Sequence, residues 1–200
     1  MSRVIRASKS AIYLSVAGAL ALALPFVAGA QTPVDGFVAR VTEGITGIHA
    51  QAGGDAAKTL AGCGDFLGRV LNLPAMAKTA GRDAWEQMSA DQRDAYQAAF
   101  AKRLAAECAR ELATYKGEAV TLAGVRTMPD GDRLATVRLG PPESARMIAW
   151  RLRGATDDAL SAIDVIFEGH SVMIKAYDDF VAVLRASHGN VDAVIESLRK

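Results

Sequence analysis

The chain is poor in the residues and patterns that carry catalysis. It has three histidines, His49, His170 and His188, and two cysteines, Cys63 and Cys108, in 200 residues. No histidine stands in metal-ligand spacing with another His, Cys or carboxylate, and two cysteines do not make a zinc site. No metal and no cofactor is therefore expected. A GxSxG elbow and a phosphate-binding glycine loop are both missing. Asp164 and Glu168 share a strand face, but four residues of strand separate them by about 13 Å. Glycosidase carboxylates stand closer, at roughly 5–9.5 Å. The pair reads as the polar outer face of a half-buried sheet, and His170 as a corner residue. A hydrolase using His170 with Asp164 or Glu168 is the remaining enzyme reading; the expectation is a protein that is not an enzyme. No long basic run is present, which argues against nucleic acid as a partner. Internal repeats, low-complexity segments and interdomain linkers are missing too.

What the chain does have begins with a leader. Arg3, Arg6 and Lys9 form a basic start, Ala11 to Leu24 is an apolar run, and Ala28-Gly29-Ala30 supplies small residues for cleavage. The run is short for a bilayer span, which takes roughly 20 residues. A signal peptide over residues 1–30, cleaved before Gln31, is expected; the alternative is an uncleaved anchor. Removing three basic residues from 23 leaves 20 against 22 acidic ones, a formal −2. Export places Cys63 and Cys108 in an oxidising compartment. A disulfide between them would close a loop worth about 4 kcal/mol in the chain-entropy model. The alternative is two buried free thiols.

Apolar periodicity then orders the chain. Phe37, Val41, Ile45 and Ile48 mark a helix over 33–51, ended by Gly53-Gly54. Leu60, Cys63, Phe66, Leu67 and Val70 mark a second over 55–71. Pro74 opens a short helix through Thr79, and Gly81 to Trp85 reads as a loop or turn. Ser89 and Gln92 form a capping-box pattern ahead of the longest helix, where Tyr96, Phe100, Leu104, Cys108 and Leu112 recur every fourth residue. Past Gly117 the period becomes two. Strands are expected over 118–128, 133–139 and 145–153, with Ala135, Val137 and Leu139 on one face and Ile148, Trp150 and Leu152 together on another.

The most specific stretch is Ser161 to Phe180. Alternation predicts a fourth strand with Ile163, Val165 and Phe167 on one face and Ala162, Asp164, Ile166 and Glu168 on the other. A tight corner at Gly169-His170 follows, with Ser171 as the cap of an amphipathic helix carrying Met173, Tyr177 and Phe180. A last helix covers 190–198 beyond Gly189. The fold class is α+β: a helical N-terminal part, a four-stranded antiparallel meander, and C-terminal helices packed on one face of the sheet.

The string Asp164-Val165-Ile166-Phe167-Glu168-Gly169-His170-Ser171, with Tyr177 and Phe180 after it, resembles a block of the MlaC family. These are periplasmic phospholipid-binding proteins associated with an ABC transporter, also called the toluene-tolerance auxiliary family. Similar segments run through Val70-Leu71-Asn72-Leu73-Pro74, then Gly81, Trp85, Gln92-Arg93 and Phe100, and finally Gly189-Asn190-Val191-Asp192 with Ile195 and Leu198. Departures are Asp178 where the family often has Arg, His170 at a usually small apolar position, and the two cysteines.

The resemblance implies one lipid-binding domain over residues 31–200, located in the periplasm and monomeric. It implies a carrier that shuttles phospholipid between an inner-membrane ABC-transporter complex, with an MlaD-type subunit, and an outer-membrane lipoprotein–porin complex. Such a role maintains the outer membrane's lipid asymmetry. A carrier or accessory protein for another apolar lipid, such as a hopanoid, is the alternative. The lipid tails would lie between sheet and helices, against Val137, Ile148, Trp150, Ile163, Val165 and Phe167 on the strands. Trp85, Phe100, Leu104, Met173, Tyr177 and Phe180 would face them.

Overall fold

A computed structural model of the chain describes residues 33–154, 156 and 159–200; the expected leader over residues 1–30 lies outside the described residues. Helix α1 (Pro33–Ala52) buries the expected row of Phe37, Val41, Ile45 and Ile48. Helix α2 (Ala56–Val70) is capped by Asp55, whose carboxylate accepts from the Lys58 backbone N–H at 3.0 Å. Helix α4 (Ala90–Leu112) starts at the capping box of Ser89 and Gln92, with both reciprocal bonds made at 3.1 Å. Apolar spacing picked the buried faces, except that Leu60, expected on the buried side of α2, is 44% exposed, and polar side chains set the first turns of α2 and α4.

Helix α3 (Leu73–Gln87) is longer than its sequence suggests. The turn expected over Gly81–Trp85 is instead a kink at Arg82 (φ 40°), after which the helix resumes. Burial explains this. Trp85 and Met88 lie in the core, and Gly81 is buried against them, where an added Cβ would make ordinary contact with the Trp85 Cβ at 3.4 Å. Arg93 fastens the resumed segment by donating to the Trp85 carbonyl at 2.9 Å.

The sheet is an antiparallel meander in chain order, β1 (Val120–Thr127), β2 (Arg133–Leu139), β3 (Arg146–Arg153) and β4 (Ser161–Phe167). A fifth strand, β5 (His170–Ser171), pairs with the end of β4, so the sheet has five strands among the described residues rather than four. The corner at Gly169-His170 is thus a two-residue hairpin turn formed by Glu168 (φ 48°) and Gly169 (φ 85°). Positive φ at both central positions matches the right-handed twist of the strands it joins. Ser171 leaves β5 directly as the cap of helix α5 (Val172–Ala186), accepting from the Ile174 N–H at 3.0 Å. Helix α6 (Val191–Leu198), capped by Asn190, ends the chain's regular structure.

A bulge in β4 changes which side chains face inward. The register against β3 shifts between Arg151 and Leu152, so that Leu152 pairs with Ala162 while Trp150 pairs with Val165. Partners across a sheet share a face. Ala162, fully buried, therefore joins Val165 and Phe167 on the inner face, and Ile163 drops out of the alternation and stays half-buried. The bulge is held from outside the sheet: Leu71 bridges to Ala162, and the Asn72 N–H donates to the Ala162 carbonyl at 2.8 Å.

Beside β2 and β3, Asp132 anchors the far end of the sheet. It is 4% exposed and accepts from Arg153 at 2.8 Å through both carboxylate oxygens and from Arg151 at 2.7 Å. Those bonds, the Arg153 one foremost, hold its carboxyl below the usual carboxylate range against the opposing effect of burial. A depressed folded-state value means the stabilisation is complete above the unfolded value of about 3.9 and is lost as pH falls through the folded one. Asp132→Asn is expected to cost about 2 kcal/mol at neutral pH, the scale of hydrogen bonds to a charged group. It should also flatten the acid-side loss of stability in denaturant titrations. A variant as stable as the parent at neutral pH would contradict this role.

Candidate functional site

Between the inner face of the sheet and the helices lies a cavity of about 570 Å³. Its longest wall is α4, and the four-residue row predicted from sequence supplies it: Tyr96, Phe100, Leu104, Cys108 and Leu112 all line the space. The sheet contributes Ile148, Trp150, Val165 and Phe167, two cross-strand pairs on the inner face. Phe66 and Leu67 of α2 and Met76 of α3 close one end, and Phe180 and Val183 of α5 with Val194 and Leu198 of α6 close another. Aromatic edges fix the floor. Trp150 meets Phe37 at 5.7 Å and Phe66 at 6.4 Å between ring centroids, both edge-on. Gly44 on α1 makes room for the Phe66 ring, since a Cβ there would lie 2.3 Å from a ring carbon.

The cavity changes character toward solvent. Arg103, Glu107, Arg110 and Glu111 on α4 face Glu168 and His170 of the hairpin and Lys175 and Asp179 of α5 around a charged rim. Arg103 pairs with Glu107 at 2.9 Å, and Lys175 pairs with Asp179. The wall carrying Lys175 and Asp179 is placed by one carboxylate. Asp164 accepts from the Ser171 hydroxyl at 2.6 Å and from the Met173 N–H at 3.1 Å, tying the start of α5 to β4. Asp164 thus works as a positioning group, while Glu168 and His170 stand exposed on the rim.

Of the residues proposed from sequence to face a guest, Phe100, Leu104, Ile148, Trp150, Val165, Phe167 and Phe180 come together around the cavity. The others sit elsewhere. Val137 is fully buried in the sheet's own core, and Ile163 is turned away by the bulge. Trp85 packs behind the wall, edge-on to Tyr96 at 6.4 Å. Met173 is buried beside Asp164, and Tyr177 lies under the Arg82 guanidinium, 4.3 Å from its ring centroid. Sequence reasoning passed over Tyr96, Phe66, Met76 and the α6 pair as lining residues. Tyr96 had a usable signal, its place in the same row as Phe100 and Leu104; the α6 pair had none beyond ordinary amphipathicity.

Three side-chain polar atoms are enclosed and unpartnered among the described residues: Arg133 Nη1, Arg138 Nε and Trp150 Nε1. The Tyr96 hydroxyl also bonds to no described residue, yet it is not one of the enclosed atoms. Burial pushes its phenol well above the ordinary tyrosine value. Among the described residues no group of three or more His, Cys, Asp or Glu that could hold a metal ion gathers.

Fold and site together define an α+β domain built around an apolar cavity with a charged rim. The chain belongs to the MlaC family, whose model, described as MlaC protein, matches residues 37–200. Among solved structures it is similar to a phospholipid-binding protein of Ralstonia solanacearum, determined in complex with a phospholipid. The TM-score is 0.69 at 18% identity, over 83% of this chain and 92% of that one, a likeness of fold. Comparison with curated proteins gives no match. Among the described residues no helix is long and apolar enough to cross a membrane.

Cys63 on α2 and Cys108 on α4 form a disulfide with Cα atoms 5.9 Å apart. It joins two cavity walls, since Cys108 itself lines the space. Replacing both cysteines by alanine is expected to lower stability by about 4 kcal/mol, the loop-closure entropy of a bridge this long. Denaturant midpoints of the oxidised parent and the double variant measure this, and coincident midpoints would show that the bridge constrains nothing.

Proposed function

We propose that this protein binds the acyl chains of a membrane phospholipid in the cavity, and carries the lipid through the periplasm between membrane-bound complexes. The observation that carries the reading is the cavity's split character, apolar from Phe66 to Phe180 and charged from Arg103 to Lys175. That division matches a lipid's own, with tails that need a dry wall and a head group that stays wet. Membership of the MlaC family and the phospholipid in the Ralstonia structure support the same reading.

Energetics favour a carrier over free diffusion. A two-chain lipid has about 30 methylenes at roughly 0.8 kcal/mol each, on the order of 25 kcal/mol against entering water. The protein has only to match the bilayer, so transfer in and out can be nearly isoenergetic and needs no covalent step. Rim residues Glu168 and His170 then serve at the water boundary rather than in hydrolysis. At about 570 Å³ the cavity is within the range of pockets that enclose small-molecule ligands, roughly 300–1,000 Å³.

On this reading the mature chain is residues 31–200, working as a monomer, with an inner-membrane ABC-transporter complex and an outer-membrane lipoprotein–porin complex as its partners. Protein purified from periplasm and extracted with organic solvent should release close to one phospholipid per chain by mass spectrometry. A hopanoid in the extract would instead select the other lipid class. Protein that carries no lipid, and takes none from labelled vesicles, would end the carrier reading.

A further inference from the structure

We infer that Tyr96 is a ligand-binding residue whose hydroxyl donates to an acyl ester carbonyl of the bound lipid. The inference rests on the lipid reading above and adds a chemical requirement to it. Tyr96 is 1% exposed and lines the cavity. Its ring is fixed on three sides, stacked on Phe100 at 6.1 Å and edge-on to Phe180 at 5.4 Å and Trp85 at 6.4 Å. The hydroxyl makes no hydrogen bond to a described residue, and it is not among the enclosed polar atoms. What little surface Tyr96 keeps therefore includes that oxygen, and Tyr96 itself is part of the cavity wall.

A buried phenol normally has a partner, because an unmade hydrogen bond in an apolar site leaves its desolvation uncompensated. A tyrosine phenol is protonated at physiological pH, and burial only strengthens that, so it is a donor. No acceptor is offered by the neighbouring rings. The guest must bring one, and the acceptors of a diacyl lipid nearest its tails are the two ester carbonyls.

A dialkyl ether lipid has the same tails and head group without the carbonyls, and it isolates the contact. With delipidated full mature chain and dispersed dipalmitoyl phosphatidylcholine or its dihexadecyl ether analogue, the parent should bind the ester about fivefold more tightly, the worth of one neutral hydrogen bond. Tyr96→Phe should abolish that preference by weakening the ester alone. The variant's lipid-free thermal midpoint should not fall, since the hydroxyl supports nothing in the protein. Independently of any variant, the carbonyl stretch of bound lipid labelled with ¹³C at the ester should shift to lower frequency. Equal binding of ester and ether by the parent, equal weakening of both by Tyr96→Phe, or an unshifted carbonyl band would each overturn the inference and leave the carrier reading standing. Binding of neither lipid would overturn both.

Discussion

The contact of Trp150 with Phe37 and Phe66 is what the rest of the molecule depends on. Here the central strand of the meander meets the first two helices, with one large ring held edge-on by two others. Close packing at this point sets how near the helical layer approaches the sheet. Further along, between α4 and the ends of β3 and β4, the inner-face side chains Ile148, Val165 and Phe167 are only half-buried. A sheet face that a helical layer covers completely would bury them. The cavity is the consequence of two layers pinned firmly in one place and spanned elsewhere by side chains that do not reach across.

Three further restraints keep that gap from collapsing or spreading. The disulfide fixes α2 against α4. The Asp164 carboxylate fixes the start of α5 against β4. The bulge at Ile163, with Ala162 held by the Leu71–Asn72 segment, removes a large side chain from the inner face and puts a small one in its place. Each is a local, directional interaction, whereas the cavity lining is non-directional apolar surface. Directional bonds can therefore hold the shape of the space without adding their own polar groups to its apolar part, where the Tyr96 hydroxyl and the Trp150 indole N–H are the polar groups.

Much of this was legible in the sequence, for physical reasons that also mark where legibility stopped. The row on α4 could be read because a helix repeats its buried face about every fourth residue whatever it packs against. The caps at Asp55, Ser89 and Ser171 were readable because capping is a local competition for backbone N–H groups. The bulge in β4 was not, since it arises from pairing with Leu152 and Leu71, distant in the chain. The break at Gly81–Arg82 was legible, but not that a helix resumes directly after it, because that depends on the burial of Trp85 and Met88. Tyr177 and Trp85, large and apolar, pack outside the cavity, and periodicity cannot distinguish a wall from the layer behind it. The charged rim was similarly hidden: Arg103 and Lys175 were each visible as off-row charges, but nothing local says that two such faces meet across one opening.

The central claim is that acyl chains lie against the floor formed by Trp150. The chain has two tryptophans, and Trp85 lies outside the lining, so a Trp85→Phe protein reports from Trp150 alone. Its emission should be strongly quenched on binding a phospholipid brominated along its acyl chains, and little affected by the same lipid with unbrominated chains. Emission that does not change while the brominated lipid co-elutes with the protein would place the tails elsewhere and contradict the account.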